Sequence, residues 1–175
     1  MSVDTAPENG AAEQDVNWLS AEQLHEWQSL VTLLMTLPAA MDGQLRREAG
    51  VNLFEYHVLA ALSAAPDRTL VLSDLAGLAQ GSLSRLSHAI TRLERAGWVV
   101  RRSCTDGGIR RTEALLTDAG LAKLEQIAPG HVIQARRLVI DVLAPEQLSA
   151  LGDAARAITA AIATQAPPSG GDPSC

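Results

Sequence analysis

Aromatic residues are scarce in this chain of 175 residues, where they make up only 3% of the sequence. Aromatic and β-branched side chains favour strands, whereas the abundant alanine and leucine favour helices, so we expect a mainly helical core. The two cysteines, Cys104 and Cys175, are too few for a disulfide framework. A chain of this length buries enough surface to fold without such crosslinks.

The sequence also lacks a long apolar run. Its most apolar stretch, residues 30–41, is shorter than the roughly 20 residues of a transmembrane helix, and it contains Pro38. The first 17 residues are acidic and polar, without the apolar segment of a signal peptide. The sequence therefore predicts a cytoplasmic protein with no membrane partner.

Positive charge is limited and concentrated in one segment. The net charge is −6, yet residues 85–111 alone carry seven arginines and two acids, a net charge of +5. The rest of the chain carries −11. One basic segment on an acidic body indicates a surface for a polyanion, although a solvated charged face has the same composition.

Capping signals predict where the first two helices begin. Ser20 with Gln23 and Asn52 with Glu55 are capping-box pairs, and apolar residues at helical spacing follow each pair. A proline inside a helical pattern removes a hydrogen bond, so we expect Pro38 to kink or divide the first helix.

Residues 73–97 have the pattern of a helix-turn-helix. We expect Ser73 to cap a short third helix, and Ser82 to cap a longer fourth helix that runs to Gly97. The fourth helix is expected to bury one apolar face, which consists of Leu83, Leu86, Ile90 and Leu93.

A basic hairpin follows the helix-turn-helix and is typical of a wing. Two strand patterns, residues 98–102 and 111–116, are joined by Asp106-Gly107-Gly108, a hairpin turn signal. We then expect a fifth helix that is capped by Thr117 and interrupted at Pro129–Gly130, and a last helix that Pro145 opens. The apolar stripes of the terminal helices predict a partner subunit.

Three stretches resemble the MarR-type (multiple antibiotic resistance regulator) winged-helix transcription factors. Residues 84–99 are similar to the family's recognition helix, which ends in Arg-Leu-Glu-x-x-Gly before the first wing strand. Arg110 followed by Leu116-Thr117-x-x-Gly120 is similar to the return strand of the wing and the next helix start. Residues 53–59 resemble the helix before the winged module, and the likeness covers about residues 20–162.

The resemblance implies a mainly α fold of the α+β winged-helix type, with about six helices and a two-stranded β-wing. Its N- and C-terminal helices are expected to form a dimerisation region. The expected parts are a disordered leader (1–17), a dimerisation helix (18–50), a winged helix-turn-helix DNA-binding region (51–117), dimerisation helices (118–165) and a disordered tail (166–175).

The same resemblance implies a transcriptional regulator, expected to be a repressor, that binds a pseudo-palindromic operator in double-stranded DNA as a homodimer. A small aromatic ligand is expected to release it. For Arg92, near the end of its helix, a salt bridge within the chain is the alternative to a phosphate contact. The side chains expected to contact DNA are Ser82, Ser84, Arg85, Ser87, His88, Arg92, Arg102, Arg110 and Arg111.

Two positions depart from the family pattern. His88 stands where the family often has an arginine, which predicts a weaker or pH-sensitive contact with DNA. Gly108 occupies the place of the aspartate that orients the wing arginine, and Asp106 lies two residues earlier. For the wing tip we expect Arg110 to enter the minor groove.

The resemblance also implies a ligand cleft, for which Trp27, Met35, Tyr56 and His57 are candidates, with ordinary core packing as the alternative for each. The four histidines form no His-x-x-x-His pair and no Cys-x-x-Cys is present, so neither a metal nor another cofactor is expected. Enzymatic motifs are absent. Two other functions stay open: a winged-helix protein-interaction module without DNA binding, and a redox-sensing regulator acting through Cys104.

Overall fold

The computed structural model describes residues 16–79, 81–106 and 109–165, with the side chains of 104–106, 109 and 110 left out. This described part holds six α-helices and three β-strands. The helices are α1 Ala21–Ala49, α2 Leu53–Ala64, α3 Leu72–Leu78, α4 Leu83–Arg95, α5 Asp118–Ala135 and α6 Pro145–Gln165. The strands are β1 Thr69–Val71, β2 Val99–Asp106 and β3 Ile109–Leu116.

The chain divides into two compact units between Thr36 and Leu37. In the described part of the first unit, residues 16–36, no residue is buried, and Trp18 and Met35 are among the most exposed side chains. The second unit contains the remaining elements and the core. The predicted leader and tail lie largely outside the described residues, and the predicted domain boundaries stay predictions.

Both predicted capping boxes are present. The backbone N–H of Ser20 donates to Gln23 Oε1 at 2.9 Å, and that of Gln23 donates to Ser20 Oγ at 3.1 Å. In the same reciprocal way, the Asn52 N–H donates to Glu55 Oε2 at 2.9 Å and the Glu55 N–H to Asn52 Oδ1 at 2.8 Å. These bonds satisfy N–H groups that have no partner within the helix, so they define where α1 and α2 begin.

Two of the three single-residue caps are confirmed, and the third is wrong. Ser82 Oγ accepts the Arg85 N–H at 3.2 Å, and Thr117 Oγ1 accepts the Gly120 N–H at 3.0 Å. Ser73, in contrast, lies inside α3, because this helix begins one residue earlier and its N-cap makes no side-chain hydrogen bond.

Prolines lie inside two helices, of which the first was expected to be kinked or divided and the second interrupted. Helix α1 continues through Pro38, and α5 continues through Pro129 to Ala135, where a π-helical segment, Arg136–Ile140, follows. Each helix buries apolar side chains close to its proline, Met41 in α1 and Ile127 in α5. Such packing stabilises a helix more than its intrinsic propensity does, which accounts for the wrong prediction at Pro129.

The sheet has three antiparallel strands in the order β1–β3–β2. The wing strands β2 and β3 are longer than the sequence predicts, and their register places Val99 opposite Leu116 and Arg101 opposite Ala114. The brief strand β1 pairs with the other side of β3. A third strand thus anchors the base of the two-stranded wing.

The main core lies among α2, α3, α4 and the base of the sheet. Its fully buried leucine and isoleucine side chains are Leu59, Leu62, Leu75, Leu86, Ile90, Leu93 and Leu116. Leu83 was expected among them, but this prediction is wrong: its side chain is 61% exposed. It occupies the first position of α4, one turn before the residues that reach the core.

Gly120 allows α5 to begin close against the sheet. A Cβ atom at this position would come within 2.1 Å of the Trp98 carbonyl oxygen and 2.7 Å of the Leu116 side chain. No side chain fits there, because such distances are far below van der Waals contact. Glycine at this position therefore fixes the approach of α5 to the wing.

Candidate nucleic-acid interface

The turn between α3 and α4 packs against the first turn of α2. A Cβ atom at Gly81 would lie 2.5 Å from the Phe54 ring, so any larger residue would have to displace this ring. The Gly81 N–H donates to the Ala76 carbonyl at 3.0 Å, and Ser82 caps the helix that follows. These contacts fix the direction in which α4, the expected recognition helix, leaves the turn.

One flank of α4 is held by the start of α2. The Arg85 guanidinium lies over the Phe54 ring, 4.3 Å from its centroid. Seven residues along, Arg92 Nε lies 3.1 Å from Oε1 of Glu55, a carboxylate that is only 2% exposed. The alternative that the sequence left open for Arg92, an ion pair within the chain, is therefore present.

The opposite flank of α4 is held by the wing. Arg101 of β2 donates through Nη2 to the Ser87 carbonyl oxygen and to Thr91 Oγ1, both at 2.8 Å. Its Nη1 lies 3.2 Å from Glu94 Oε2, and its backbone N–H donates to Glu94 Oε1 at 2.9 Å. A side chain of the wing thus contacts three successive turns of the recognition helix.

The exposed face of α4 lies between these two flanks. It presents Ser84, Ser87, His88 and Arg95 to solvent, whereas Leu86, Ala89, Ile90 and Leu93 face the core. A groove of about 410 Å³ runs along the α2 side of this face. Its walls include Asn52, Phe54, Glu55, Ser82, Ser84, Arg85, His88 and Arg92.

Successive wing residues point to opposite faces of the sheet, as strand geometry requires. Arg101 pairs across the strands with the fully buried Ala114, whereas Arg102 pairs with Glu113 and is exposed. Arg111 is exposed as well. The side chains of Arg110, Cys104 and Asp106 lie outside the described residues, as does Gly108, so the predictions that concern them stay predictions.

Two of the four ligand candidates lie next to each other on α2, together with a residue that the sequence did not suggest. The rings of Tyr56 and His131 are 4.1 Å apart between centroids, and those of Tyr56 and His57 are 6.1 Å apart. Burial lowers the pKa of both histidines, and the neighbouring His57 lowers that of His131 further. His131 Nδ1 is buried without a hydrogen-bond partner among the described residues.

The other two ligand candidates lie in the first unit. Trp27 is 52% exposed and Met35 is 72% exposed. Neither is buried in a core, so the alternative of ordinary core packing is not what this chain shows for them.

Several solved structures similar to this chain are transcriptional regulators. Sco3205 of Streptomyces coelicolor, a MarR family transcriptional regulator solved in complex with DNA, is 40% identical over 83% of this chain and 91% of its own, with a TM-score of 0.79. AbsC of the same organism, another MarR family regulator, is 34% identical over 86% of this chain and all of its own, with a TM-score of 0.78. The chain belongs to the MarR family of transcriptional regulators.

The same fold occurs in a more distantly similar solved structure. NadR, solved in complex with 4-hydroxyphenylacetate, is 22% identical over 82% of this chain and 95% of its own, with a TM-score of 0.56, which shows a common fold. No protein-family model matches the sequence, and no curated protein does. The resemblance and the fold class predicted from the sequence are both confirmed.

The sequence did not predict two contacts of this MarR-family chain, those that Arg101 and Glu55 make with α4. Arg101 was expected only as a wing cation, and Glu55 only as a capping residue. The strand alternation places Arg101 and Arg102 on opposite faces, but only the register with β3 identifies which face meets α4. Among the described residues no group of three or more metal-binding side chains occurs, and no helix is long and apolar enough to cross a membrane.

Proposed function

We propose that this chain binds double-stranded DNA as a homodimer and regulates transcription as a repressor. The observation that carries the proposal is the 40% identity with Sco3205, whose structure contains DNA. Further support is the concentration of positive charge in residues 85–111 of an otherwise acidic chain. The recognition helices of such a dimer enter successive major grooves about 34 Å apart, which predicts a pseudo-palindromic operator.

The DNA contacts in this proposal come from α4 and from the wing. Ser84, Ser87 and His88 lie on the exposed face of α4, where they reach base edges and phosphates in the major groove. Ser82 lies at the start of the same helix, and Arg85 and Arg92 border the groove beside it. In the wing, Arg102 and Arg111 are exposed and suited to phosphate contacts, while Arg110 enters the minor groove.

The proposed homodimer is supported by apolar side chains that nothing in the described chain covers. Helix α6 has no buried residue, yet Leu151, Ile158 and Ile162 lie along one side of it and are 37%, 48% and 64% exposed. A spacing of seven and then four residues forms a continuous helical stripe. A second copy of the chain that covers this stripe removes the apolar surface from water.

The proposed ligand is a small aromatic molecule with a polar group, received beside Tyr56, His57 and His131. The solved complex of NadR with 4-hydroxyphenylacetate supports this class of ligand. Lowered pKa values keep both imidazoles neutral at pH 7, and a neutral imidazole both donates and accepts hydrogen bonds. The unpartnered His131 Nδ1 is available for such a bond. In the proposed dimer, the spacing between the two winged helix-turn-helix regions decides whether both fit the DNA. A ligand that stabilises a spacing unsuited to DNA by a few kcal/mol releases the DNA.

The test is a binding titration with the DNA upstream of the protein's own coding sequence, over a series of salt concentrations. We expect selective binding whose logarithm falls with the logarithm of the salt concentration, by about 0.9 per neutralised phosphate. Arg110→Ala is expected to weaken binding and make this dependence shallower. Arg156→Ala, which removes an exposed arginine of α6, is the matched control and is expected to bind like the wild type.

A negative result leads to a defined second step. If the upstream DNA is not bound selectively, a library of genomic fragments replaces it. Absence of selective binding to every fragment at low salt would contradict the proposal in favour of a protein-interaction module. For the ligand, phenolic acids such as 4-hydroxyphenylacetate are added to the protein–DNA complex. Release of the wild type but not of His131→Ala is the expected result.

A further inference from the structure

The position of Arg101 in the sheet distinguishes it from the other cations of the wing. It lies two residues after Val99 along β2, so both point to the same face of the sheet. Val99 is 1% exposed, and Ala114, opposite Arg101, is fully buried. The Arg101 side chain therefore leaves the sheet on the face that packs against the helices. Arg102, the next residue, lies on the other face opposite Glu113.

The acceptors of Arg101 all lie on one stripe of the recognition helix. Ser87, Thr91 and Glu94 are spaced by four and three residues, so they follow one another along one side of α4. The guanidinium contacts all three at 2.8 to 3.2 Å. A guanidinium has five N–H donors in a rigid fork, and at least three contacts of this one are made within the chain.

The Thr91 and Glu94 side chains are in turn held in place for this role. The Thr91 hydroxyl donates to the Ser87 carbonyl at 2.9 Å, so its oxygen faces the guanidinium. Glu94 uses both oxygens: Oε1 accepts a hydrogen bond from the backbone N–H of Arg101, and Oε2 forms an ion pair with its guanidinium. Since Glu94 also offsets the positive charge, Arg101 is poorly suited to a phosphate contact.

We propose that Arg101 is a positioning residue, which fixes the rotation of the recognition helix relative to the wing so that both elements fit the DNA together. This inference rests on the proposed DNA-binding function. Non-specific binding depends on phosphate contacts alone, whereas selective binding also depends on how side chains meet the base edges. Loss of the Arg101 contacts therefore lowers selectivity more than it lowers general attraction to DNA.

The experiment compares Arg101→Gln, Arg101→Lys and Arg102→Gln with the wild type. Each is titrated against the selectively bound fragment and a scrambled duplex of equal length, over a salt series. For Arg101→Gln we expect affinity for the selective fragment to fall roughly 10- to 100-fold, because hydrogen bonds to a charged group are lost. Affinity for the scrambled duplex is expected to stay within about twofold of the wild-type value. The salt dependence of binding is expected to stay unchanged.

The comparison variants separate positioning from charge. Arg101→Lys keeps the charge but lacks the fork, so it is expected not to restore selectivity. Arg102→Gln is expected to weaken binding to both duplexes alike. The slope of the logarithm of affinity against the logarithm of salt concentration is expected to become shallower by about 0.9 per subunit. Restoration of selectivity by lysine, or a shallower salt dependence for Arg101→Gln, would overturn the proposal. Melting temperatures confirm that each variant is folded.

Glu94→Gln provides a test in which the two explanations predict opposite signs. Removing an acid from a DNA-binding surface strengthens DNA binding if only long-range charge matters. As the partner of Arg101, Glu94 instead supports the orientation of α4, so we expect weaker selective binding for Glu94→Gln. Tighter binding by this variant would count against the positioning role.

Amide NMR spectra of the DNA-free protein give a readout that does not depend on any operator. We expect Arg101→Gln and Arg101→Lys to shift the amide signals of residues 84–94, whereas Arg102→Gln leaves them in place. Unchanged signals in the Arg101 variants would overturn the proposal even if DNA binding were weakened. A wild type without selective DNA binding would refute the proposed function, while the spectra would still decide whether Arg101 positions the helix.

Discussion

The three arginines Arg85, Arg92 and Arg101, which lie around the recognition helix, have the same side chain but different partners. Arg85 stacks on an aromatic ring, Arg92 pairs with a buried carboxylate, and Arg101 hydrogen-bonds to the helix itself. Because each partner restricts the guanidinium, positive charge in the sequence is a weak guide to which residue contacts DNA. The partners of each arginine decide how much of its charge remains available.

The two leucines in the first turn of α4 test the burial of this helix. Leu83→Ala is expected to change the free energy of unfolding by less than about 0.5 kcal/mol, because the side chain is 61% exposed. Leu86→Ala is expected to lower the free energy of unfolding by about 2–5 kcal/mol, because Leu86 is 1% exposed and its truncation leaves a cavity. Urea unfolding of both variants measures the difference, and equal losses would contradict the described orientation of α4.

Two histidines whose pKa values are lowered, His57 and His131, predict how stability depends on pH. Burial lowers the pKa of His57 and His131 below 6.5, so the unfolded chain binds protons more readily than the folded protein. The stability that the neutral rings contribute is therefore complete above pH 6.5 and is lost as the pH falls toward the folded-state pKa values.

Melting temperatures at pH 7.5 and 5.5 check this sign. The wild type is expected to lose more stability on acidification than a His57→Gln, His131→Gln double variant. His25→Gln, at an exposed position of the first unit, is the control and should behave like the wild type. An equal loss in the double variant would show that other groups cause the acid sensitivity.

Local chemistry explains which features of these residues the sequence could predict. The caps at Ser20, Asn52, Ser82 and Thr117 depend on partners three residues away, so their signals lie within a short window. The Arg92–Glu55 pair joins residues 37 positions apart, and its geometry depends on how α2 and α4 cross. Nothing in a single sequence specifies that crossing.

At the scale of elements, α5 contains a proline without interruption, but its start has no room for a methyl group at Gly120. Pro129 stays within α5 because side chains on the same helix pack into the second apolar cluster, which contains Leu45, Val51 and Ile127. The start of α5, in contrast, has no free space beside Trp98. The pattern of breakers therefore overestimated interruptions, while the motif Leu116-Thr117-x-x-Gly120 correctly marked a helix start.

Two glycines in helices are expected to respond to alanine with opposite signs. Gly120→Ala is expected to destabilise the protein by about 1–3 kcal/mol or more, because its Cβ would overlap the Trp98 carbonyl. Gly77→Ala in α3 is expected to stabilise it by about 0.5–1 kcal/mol, because nothing lies within 4 Å of the added Cβ. Thermal unfolding of both variants checks this, and a stable Gly120→Ala would contradict the close approach.

At the scale of the whole molecule, α6 is the element that the described chain leaves without a core. Its length of 21 residues and its apolar stripe are out of proportion to a helix with no buried side chain. The sequence predicted this surplus from the stripe alone, since helical periodicity is visible without a structure. It did not predict the division of the chain between Thr36 and Leu37, which follows from contacts.

Interruption of the α6 stripe is expected to separate the proposed dimer. Ile158→Glu places a charge in the stripe, whereas Ala160→Glu places the same charge on the opposite side of the helix. Light scattering at micromolar concentration is expected to give a dimer for the wild type and Ala160→Glu, and a monomer or aggregate for Ile158→Glu. A monomeric wild type would contradict the dimer, and a dimeric Ile158→Glu would exclude this stripe as its interface.

Glu94 and Arg101 are only seven residues apart, so the recognition helix and the arginine that orients it are encoded in one short stretch of the gene. An engineer who grafts a foreign recognition helix onto this scaffold, in order to redirect it to another promoter, would replace the Thr91 and Glu94 side chains and keep the arginine. The grafted helix would then dock against a wing made for a different one. A transplant of residues 82–101 carries both the recognition helix and Arg101. We expect this segment to be the smallest one that can be exchanged between such proteins.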